Sequence, residues 1–189
     1  NLELLNTYGS SADESVRSFV ILDDGNYLIV GTTKSYGDSG GDIFLAKISS
    51  STGAVIWSKI YGTAGIDDYP FIARGNTPLD NYIYLTFSTQ YQTFGGRDIV
   101  VMKLDKYGNI IWQKRLGGPG DDIPYKIAFN SDYLYIVGYT QSYGAGNWDG
   151  LLINLKTNGN LVYAKTYGGN NAEYLFDIML VPYYGIHLF

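Results

Sequence analysis

Short apolar runs separated by turn-forming residues recur along the whole chain. The first unit has four of them: SVRSFVIL at 15–22, NYLIVGTT at 26–33, DIFLAKI at 42–48 and AVIWSKI at 54–60. Each run has the length of a strand, is rich in β-branched and aromatic residues, and is bounded by Gly, Asn, Asp or Ser. None has the 3.6-residue period of an amphipathic helix. The pattern therefore predicts four strands per unit, which we call A to D.

The same order of strands repeats every 51–55 residues. Each copy is anchored on a Tyr-Gly or Leu-Gly step that begins at position 8, 61, 116 or 167. An apolar residue follows each anchor by eleven residues, and an acid follows it by six. These acids are Glu14, Asp67, Asp122 and Glu173. A fixed period near 50 residues without a helical pattern predicts an all-β protein, a β-propeller of four-stranded antiparallel blades.

The repeat divides the chain into units of a single propeller segment, 1–189. The units are approximately 8–60, 61–115, 116–166 and a partial unit at 167–189, with residues 1–7 as an additional outer strand D. This gives about three and a half blades, fewer than the roughly four to eight usual in propellers. The pattern therefore predicts that further chain or partner subunits complete the structure.

Apolar residues at both ends form a candidate assembly edge. They are Leu2, Leu4, Tyr184, Ile186, Leu188 and Phe189. A strand with a free edge presents unpaired N–H and C=O groups, which recruit other strands. The sequence of the last strand, YYGIHLF, contains no Lys, Asp or Glu that would oppose such pairing. We therefore expect an unpaired B-like strand at this end and protein partners or self-assembly.

Two stretches resemble the bacterial and archaeal β-propeller repeat family of the SBBP type. They are GNYLIVGTTKSYG followed by DIFLAKI and GAVIWSK, and YIVGYTQSYG followed by DGLLINL and GNLVYAK. Unit two departs at Thr86, which replaces the glycine of strand B. Unit three departs at Asn154, which replaces the lysine of strand C, and at Tyr163, which replaces the tryptophan of strand D. The resemblance implies a module of a secreted or cell-surface protein and supplies no catalytic residues.

Composition excludes several classes of function. The net charge is −5 and no basic cluster occurs, which argues against a nucleic-acid partner. No apolar run approaches the ~20 residues of a membrane helix. The chain has no cysteine, and one histidine, His187, cannot build a typical zinc site or a usual serine triad. There is no glycine-rich phosphate loop before a helix, so no cofactor is expected.

The repeated acids permit two interpretations. Carboxylates clustered at one end of a propeller could bind a cation or sugar hydroxyls. The sequence favours the alternative that they accept backbone N–H groups in turns or pair with Lys59, Lys114 and Lys165. Asp42, Asp98 and Asp149 begin each strand C, where capping of the long B–C loop explains them. Adjacent acids point to opposite faces of a strand, so a catalytic acid/base dipeptide is disfavoured.

Large aromatic residues recur at one position of strand D: Trp57, Trp112 and Tyr163. The Gly-x-x-x-Trp spacing of the first two resembles the tryptophan-docking motif of quinoprotein propellers. That resemblance implies that each side chain is mostly buried against the following blade. It implies no quinone, because the sequence contains no distinct cofactor pocket.

The sequence thus favours a non-catalytic, extracellular or cell-surface propeller that acts as a scaffold, adhesion or assembly module. A carbohydrate-binding, lectin-like propeller is the alternative. Its candidate binding surface is formed by loop tyrosines, which offer rigid amphipathic contact area. These are Tyr36, Tyr91, Tyr107 and Tyr143. A quinoprotein-like or glycosidase enzyme is a remote third hypothesis.

Overall fold

A computed structural model of the protein describes residues 7–38, 40–75, 81–181 and 185–189. Within these ranges the chain forms fourteen β-strands and no helix. The strands are β1 (Glu14–Ile21), β2 (Tyr27–Thr33), β3 (Asp42–Ile48), β4 (Val55–Tyr61), β5 (Asp67–Arg74), β6 (Ile83–Thr89), β7 (Asp98–Leu104), β8 (Ile110–Leu116), β9 (Asp122–Asn130), β10 (Tyr133–Thr140), β11 (Asp149–Lys156), β12 (Leu161–Tyr167), β13 (Ile178–Val181) and β14 (Gly185–Leu188).

Twelve of these strands form three four-stranded antiparallel sheets, each with its strands in chain order. Sheet 1 contains β1–β4, sheet 2 contains β5–β8 and sheet 3 contains β9–β12, while β13 and β14 form a two-stranded hairpin. The predicted all-β class and the four strands per unit are confirmed. In the first unit the predicted strand ends lie within one residue of those observed.

The sheets stack face to face, and their apolar side chains fill the junctions between them. We call the face of a sheet that turns toward the next sheet its forward face, and the opposite one its rear face. Leu28 and Leu45 on the forward face of sheet 1 pack with Leu85 and Met102 on the rear face of sheet 2. Sheet 3 packs on the forward face of sheet 2, and the hairpin packs on sheet 3. Because both its faces are covered, β6 is buried throughout.

The first strands of the sheets form one inner edge of the stack. β1 contacts β5, β5 contacts β9, and β9 contacts β13. In each of β1, β5 and β9 the pairing register with the second strand shifts, at Arg17, at Tyr69-Pro70 and at Tyr125. A β-bulge of this kind bends a strand and re-aims a side chain. The inner edge therefore carries side chains that do not follow strand alternation.

The last unit differs from the prediction in two ways. The repeat places strand A of the partial unit at 173–180, but β13 begins only at Ile178, and residues 173–177 are not in a strand. The C-terminal strand was expected to be unpaired, which is wrong, because β14 pairs with β13 over four residue pairs. Ile186 and Leu188 in β14 are half-buried against sheet 3, whereas Phe189 is exposed. Leu2, Leu4 and Tyr184 lie outside the described residues.

Strand register also corrects one sequence alignment. Thr33 pairs with Asp42, Thr89 with Asp98, and Thr140 with Asp149, so these three pairs are equivalent. Counting back from them places Phe87, not Thr86, at the position held by Gly31 in sheet 1 and by Gly138 in sheet 3. The prediction that Thr86 replaces the glycine of strand B was therefore wrong by one residue, because Phe87 stands there.

Candidate functional site

The acids that begin the first strands organise the loops before them. Each carboxylate accepts the backbone N–H of the residue four positions earlier, with N–O distances of 3.0 Å at Glu14, 2.6 Å at Asp67, 2.8 Å at Asp122 and 2.9 Å at Glu173. Asp122 is buried and also accepts the hydroxyls of Thr140 and Ser142. The sequence favoured this role, in which the acids accept backbone N–H groups in turns.

The acids that begin the third strands have the same kind of partner. Asp42 accepts the N–H of Asp38, Asp98 that of Phe94 at 2.8 Å, and Asp149 that of Gly146 at 3.1 Å. All three are buried. They therefore hold the long loop between the second and third strands.

The lysines before the anchors do not neutralise these acids. No ion pair between described residues joins Lys59, Lys114 or Lys165 to an acid of either set. Lys59 instead donates to the side-chain oxygen of Asn109, at 3.3 Å. The expected pairing with lysine is wrong, and among the described residues it is Arg115 on β8 that lies near an acid of these sets, 3.5 Å from Asp98.

Two acids approach each other where one sheet meets the next. A methyl group added at Gly117 would lie 2.0 Å from Asp98 Oδ1 and 3.0 Å from Asp122 Oδ2. The anchor glycine is therefore required because no side chain fits between the two carboxylates. Gly62 lies in the same way against Asp42.

This arrangement has an electrostatic cost. The Oδ1 atoms of Asp67 and Asp98 are buried without a hydrogen-bond partner. Burial raises the pKa of Asp42, Asp67 and Asp98, and the charge of Asp67 raises that of Asp42 further. Within the described part of the chain, no three acidic or histidine side chains lie close enough to hold a metal ion. The geometry supports loop organisation.

Replacing Asp67 by asparagine should stabilise the protein at pH 7. Because its pKa is raised in the folded state, ionised Asp67 destabilises the fold once the pH exceeds the unfolded value of about 3.9. Below that value both states are protonated and the difference disappears. We expect Asp67→Asn to raise Tm at pH 7 by about 2–4 °C, as for ~1 kcal/mol in a chain of this size, and to leave Tm unchanged near pH 3.

Thermal melts followed by circular dichroism between pH 3 and pH 8 measure this difference. Asp132→Asn, at an exposed position, is the matched control and should show no such gain. A Tm for Asp67→Asn below that of the wild type at pH 7 would contradict the electrostatic account.

The repeated aromatic residues of the outer strands lie where each sheet meets the next. The indole N–H of Trp112 donates to the carbonyl oxygen of Thr157 in sheet 3, at 3.1 Å. Trp57 lies against Gly108 of sheet 2, and Tyr163 packs into the apolar cluster that sheet 3 shares with the hairpin. All three are half-buried. Each of these rings therefore contacts the next unit, either at a turn or in an apolar cluster.

The loop tyrosines do not form one surface. All four are exposed. Tyr36, Tyr91 and Tyr143 follow the ends of the second strands, whereas Tyr107 lies in the turn after β7, at the opposite end of sheet 2. The proposed single binding surface that includes Tyr107 is therefore wrong. His187 is exposed on β14.

A different cluster lies at the inner edge, near the acids, and the sequence did not predict it. Its charged part consists of Arg17, Asp68, Tyr69 and Arg97. Arg97 Nη1 lies 3.1 Å from Asp68 Oδ2. The guanidinium carbons of Arg17 and Arg97 lie 4.9 and 5.8 Å from the centre of the Tyr69 ring. The other oxygen of Asp68, Oδ1, is buried without a hydrogen-bond partner. Burial raises the pKa of Asp68, which the charge of Arg97 opposes.

Tyr69 holds an unusual backbone conformation, with φ of 55°. A bulky residue at positive φ is strained. In sheets 1 and 3 the equivalent carbonyl group approaches Gly31 or Gly138 so closely that a methyl group there would lie 1.9 Å from the oxygen. Phe87 occupies that position in sheet 2, so the carbonyl group of Asp68 must turn away. This rotation places Tyr69 at positive φ and directs its ring toward the two arginines.

The inner cluster also has an aromatic part, built around Tyr125 on β9. It consists of Tyr125, Tyr139, Tyr174 and Phe176, whose ring centres lie 4.8–5.7 Å from their neighbours. Burial, with smaller effects of Tyr69, Tyr125, Tyr174 and Asp68, raises the pKa of Tyr139 to about 12. Tyr174 and Phe176 are 40% and 49% exposed, so the cluster presents rings to solvent.

No protein-family model matches the chain. No curated protein matches it either. A crystal structure of a protein of unknown function from Bacteroides caccae is similar, with a TM-score of 0.57 and 9% identity over 93% of this chain and 53% of that chain. An exo-1,5-α-L-arabinanase from a bovine ruminal metagenomic library matches with a TM-score of 0.44 and 16% identity, over 80% of this chain and 55% of that one.

These similarities concern the fold alone. The chain spans about half the length of each of the two structures. The fold itself is an all-β repeat of four-stranded antiparallel sheets. Among the described residues, no helix is long and apolar enough to cross a membrane.

Proposed function

We propose that this chain is part of a non-catalytic β-propeller that acts as an assembly or adhesion scaffold and is completed by a second copy of itself. One observation carries this proposal. Among the described residues, the contact that joins each pair of neighbouring sheets has an exposed, unfilled half on sheet 1 and another on the hairpin. The resemblance to the SBBP-type repeat supports a secreted or cell-surface location.

The same two positions meet at every junction. One is twelve residues after the anchor of a unit, and the other is eleven residues after the anchor of the next unit. Val20 packs into the same apolar cluster as Ile72, Ala73 as Ile127, and Ala128 as Ile178. The second member of each pair is buried, with 3–6% of its surface exposed. This contact is therefore the common element of all three junctions.

The two unfilled halves are Phe19 and Met179. Phe19 lies on the rear face of sheet 1 at the position of Ile72, and 62% of its surface is exposed. Met179 lies on the forward face of the hairpin at the position of Ala73, and 56% is exposed. Ile21 and Phe189 add exposed apolar area beside them. A second copy placed head to tail would bring Met179 of one chain onto Phe19 of the other.

A contact already present within the chain favours this placement. Tyr61 at the end of β4 donates to the carbonyl oxygen of Gly108 in the next sheet, at 2.6 Å. Tyr8 donates in the same way to Gly53 of sheet 1. Tyr8 is thus seated on sheet 1 as Tyr61 is seated on sheet 2, and an inner pair of strands beside it would complete that contact. The hairpin β13–β14 is such a pair.

Head-to-tail contacts form a ring only when the rotation closes. Two copies provide six four-stranded sheets and two hairpins, so a closed ring has eight units, within the roughly four to eight of known propellers.

Light scattering after size-exclusion chromatography tests the proposal. We expect the 189-residue chain to elute as a dimer at tens of micromolar, and Phe19→Asp to elute as a monomer, because the buried charge would have no partner. Val162→Asp, on an exposed part of the outer strand β12, is the matched control and should remain dimeric. A monomeric wild-type chain, or dimers equally weakened by both substitutions, would contradict the proposal.

A further inference from the structure

A cavity recurs at the same place on the rear faces of all three sheets, beside the anchor glycine of each unit. Its volume is about 320 Å³ on sheet 1, 470 Å³ on sheet 2 and 260 Å³ on sheet 3. We call the largest of them the sheet 2 cavity. Its apolar floor is formed by Phe87, Val100 and Met102. Its volume lies within the range of roughly 300–1,000 Å³ that small-molecule sites occupy.

An exchange of large and small residues accounts for the larger volume on sheet 2. In sheet 1 Gly31 pairs with Phe44, whose ring covers it, since a methyl group at Gly31 would lie 2.7 Å from that ring. In sheet 2 the order is reversed, with Phe87 on β6 and Val100 on β7. The ring therefore lies over the second strand, and the short side chain of Val100 leaves space over the third and fourth strands.

Three polar side chains line the sheet 2 cavity at positions where the other units have different residues. They are Gln92, Gln113 and Arg115. Strand register and equal loop lengths give their counterparts, which are Tyr36, Ser58 and Ile60 in sheet 1 and Tyr143, Ala164 and Thr166 in sheet 3. None of these counterparts has an amide or a charged side chain. A repeat defines the architecture, so departures from it that meet in one cavity point to a local function.

Arg115 is held at the cavity by three contacts. Its Nε lies 3.5 Å from Asp98 Oδ2, its Nη1 donates to the carbonyl oxygen of Tyr91 at 3.3 Å, and its guanidinium carbon lies 4.9 Å from the centre of the Phe94 ring. Among the described residues, Nη2 has no acceptor and the exposed side-chain amide of Gln113 has no hydrogen-bond partner. The site therefore has a positioned guanidinium with hydrogen-bonding capacity left for a ligand, which lowers the entropy cost of binding.

We propose that the sheet 2 cavity binds a small monocarboxylate with an apolar body. The body would cover the apolar floor, and the carboxylate would accept hydrogen bonds from Arg115 and Gln113. Among the described residues that line the cavity none is acidic, whereas Lys114 and Arg115 are cationic. An inorganic anion would leave the floor uncovered. The site lies away from Phe19 and Met179, so binding does not depend on assembly.

Methyl NMR of methionine tests the proposal directly, because the chain has two methionines, Met102 in the cavity and Met179 on the hairpin. The probes are benzoate, 3-phenylpropanoate and 4-methylpentanoate at millimolar concentration. We expect at least one of them to shift the Met102 signal saturably and to leave the Met179 signal unchanged. The matching carboxamides, which are neutral and of similar shape, should bind about tenfold more weakly, as loss of a charged hydrogen bond does.

Variants of the polar side chains locate the carboxylate. Arg115→Gln should weaken binding about tenfold and Gln113→Ala about threefold. Lys165→Gln is the matched control, since it removes one exposed cation from another outer strand, β12, and should bind as the wild type does. Equal Tm values confirm that the variants remain folded. If Arg115→Gln lowers Tm, Gln113→Ala decides, because that side chain has no hydrogen bond to lose among the described residues.

Several results would overturn the proposal. A Met102 signal that none of the three carboxylates moves is one. Carboxamides that bind as tightly as the carboxylates are another, because the guanidinium would then play no part. The third is a folded Arg115→Gln variant, or in its place Gln113→Ala, that binds as tightly as Lys165→Gln. A shift of the Met179 signal alone would place binding on the hairpin and not in the cavity.

Discussion

Replacing Trp112 by alanine is expected to lower the free energy of unfolding by about 3 kcal/mol, as removal of a large packed side chain does. The indole ring packs against the apolar cluster between sheets 2 and 3, and its N–H bonds to Thr157. Truncation leaves a cavity beside Gly159 and removes a hydrogen bond that joins two sheets. Urea denaturation followed by circular dichroism measures the change.

Ile111 provides the control for this substitution, because it adjoins Trp112 in β8 and is 49% exposed. Ile111→Ala should cost no more than about 0.5 kcal/mol, as surface substitutions do. If Trp112→Ala cost no more than Ile111→Ala, the outer-strand rings would not join the sheets.

A methyl group at Gly138 should destabilise the protein by about 3 kcal/mol, at the upper end of overpacking effects. It would lie 1.9 Å from the carbonyl oxygen of Ile123. Sheet 2 accommodates a side chain at this position, Phe87, only by placing Tyr69 at positive φ. In sheet 3 the residue equivalent to Tyr69 is Pro124, whose ring fixes φ near −65°. The same rotation is therefore not open to sheet 3.

Gly169→Ala is the control, since nothing lies within 4 Å of the added methyl group. The Tm values of the two variants should differ by several degrees, and their free energies of unfolding in urea by about 3 kcal/mol. Equal stability of Gly138→Ala and Gly169→Ala would show that the bulge can rearrange around a side chain, contrary to the explanation of Tyr69.

The repeat made much of this fold predictable. Strand ends, turns and anchor residues recur at nearly constant offsets, so each copy supports the assignment of the others. The role of the acids was equally predictable, because an acid four residues after a loop N–H can accept a hydrogen bond from it in every copy. The apolar position eleven residues after each anchor marks one half of the junction contact, whereas its partner twelve residues after the preceding anchor became visible only in the structure.

The inner cluster was not predictable for physical reasons. A bulge shifts side-chain alternation by one residue, so Arg17 and Tyr125 appear in the sequence as ordinary strand positions. Thr86, not Phe87, was taken as the residue that replaces the glycine of strand B, because the repeat pattern does not show the pairing with strand C that sets the register. Tyr174 and Phe176 were assigned to a strand that begins later, at Ile178. Each error arose where pairing between strands, rather than local pattern, determines the position of a side chain.

Disulfide cross-linking between copies tests the central claim most directly, because the chain contains no cysteine. Phe19→Cys and Met179→Cys chains are prepared separately, mixed, and oxidised gently, and the products are resolved on a non-reducing gel. The account predicts a covalent dimer in the mixture and little of it in either variant alone, since the junction joins Phe19 of one copy to Met179 of another. No dimer in the mixture, or as much dimer in each variant alone, would contradict it.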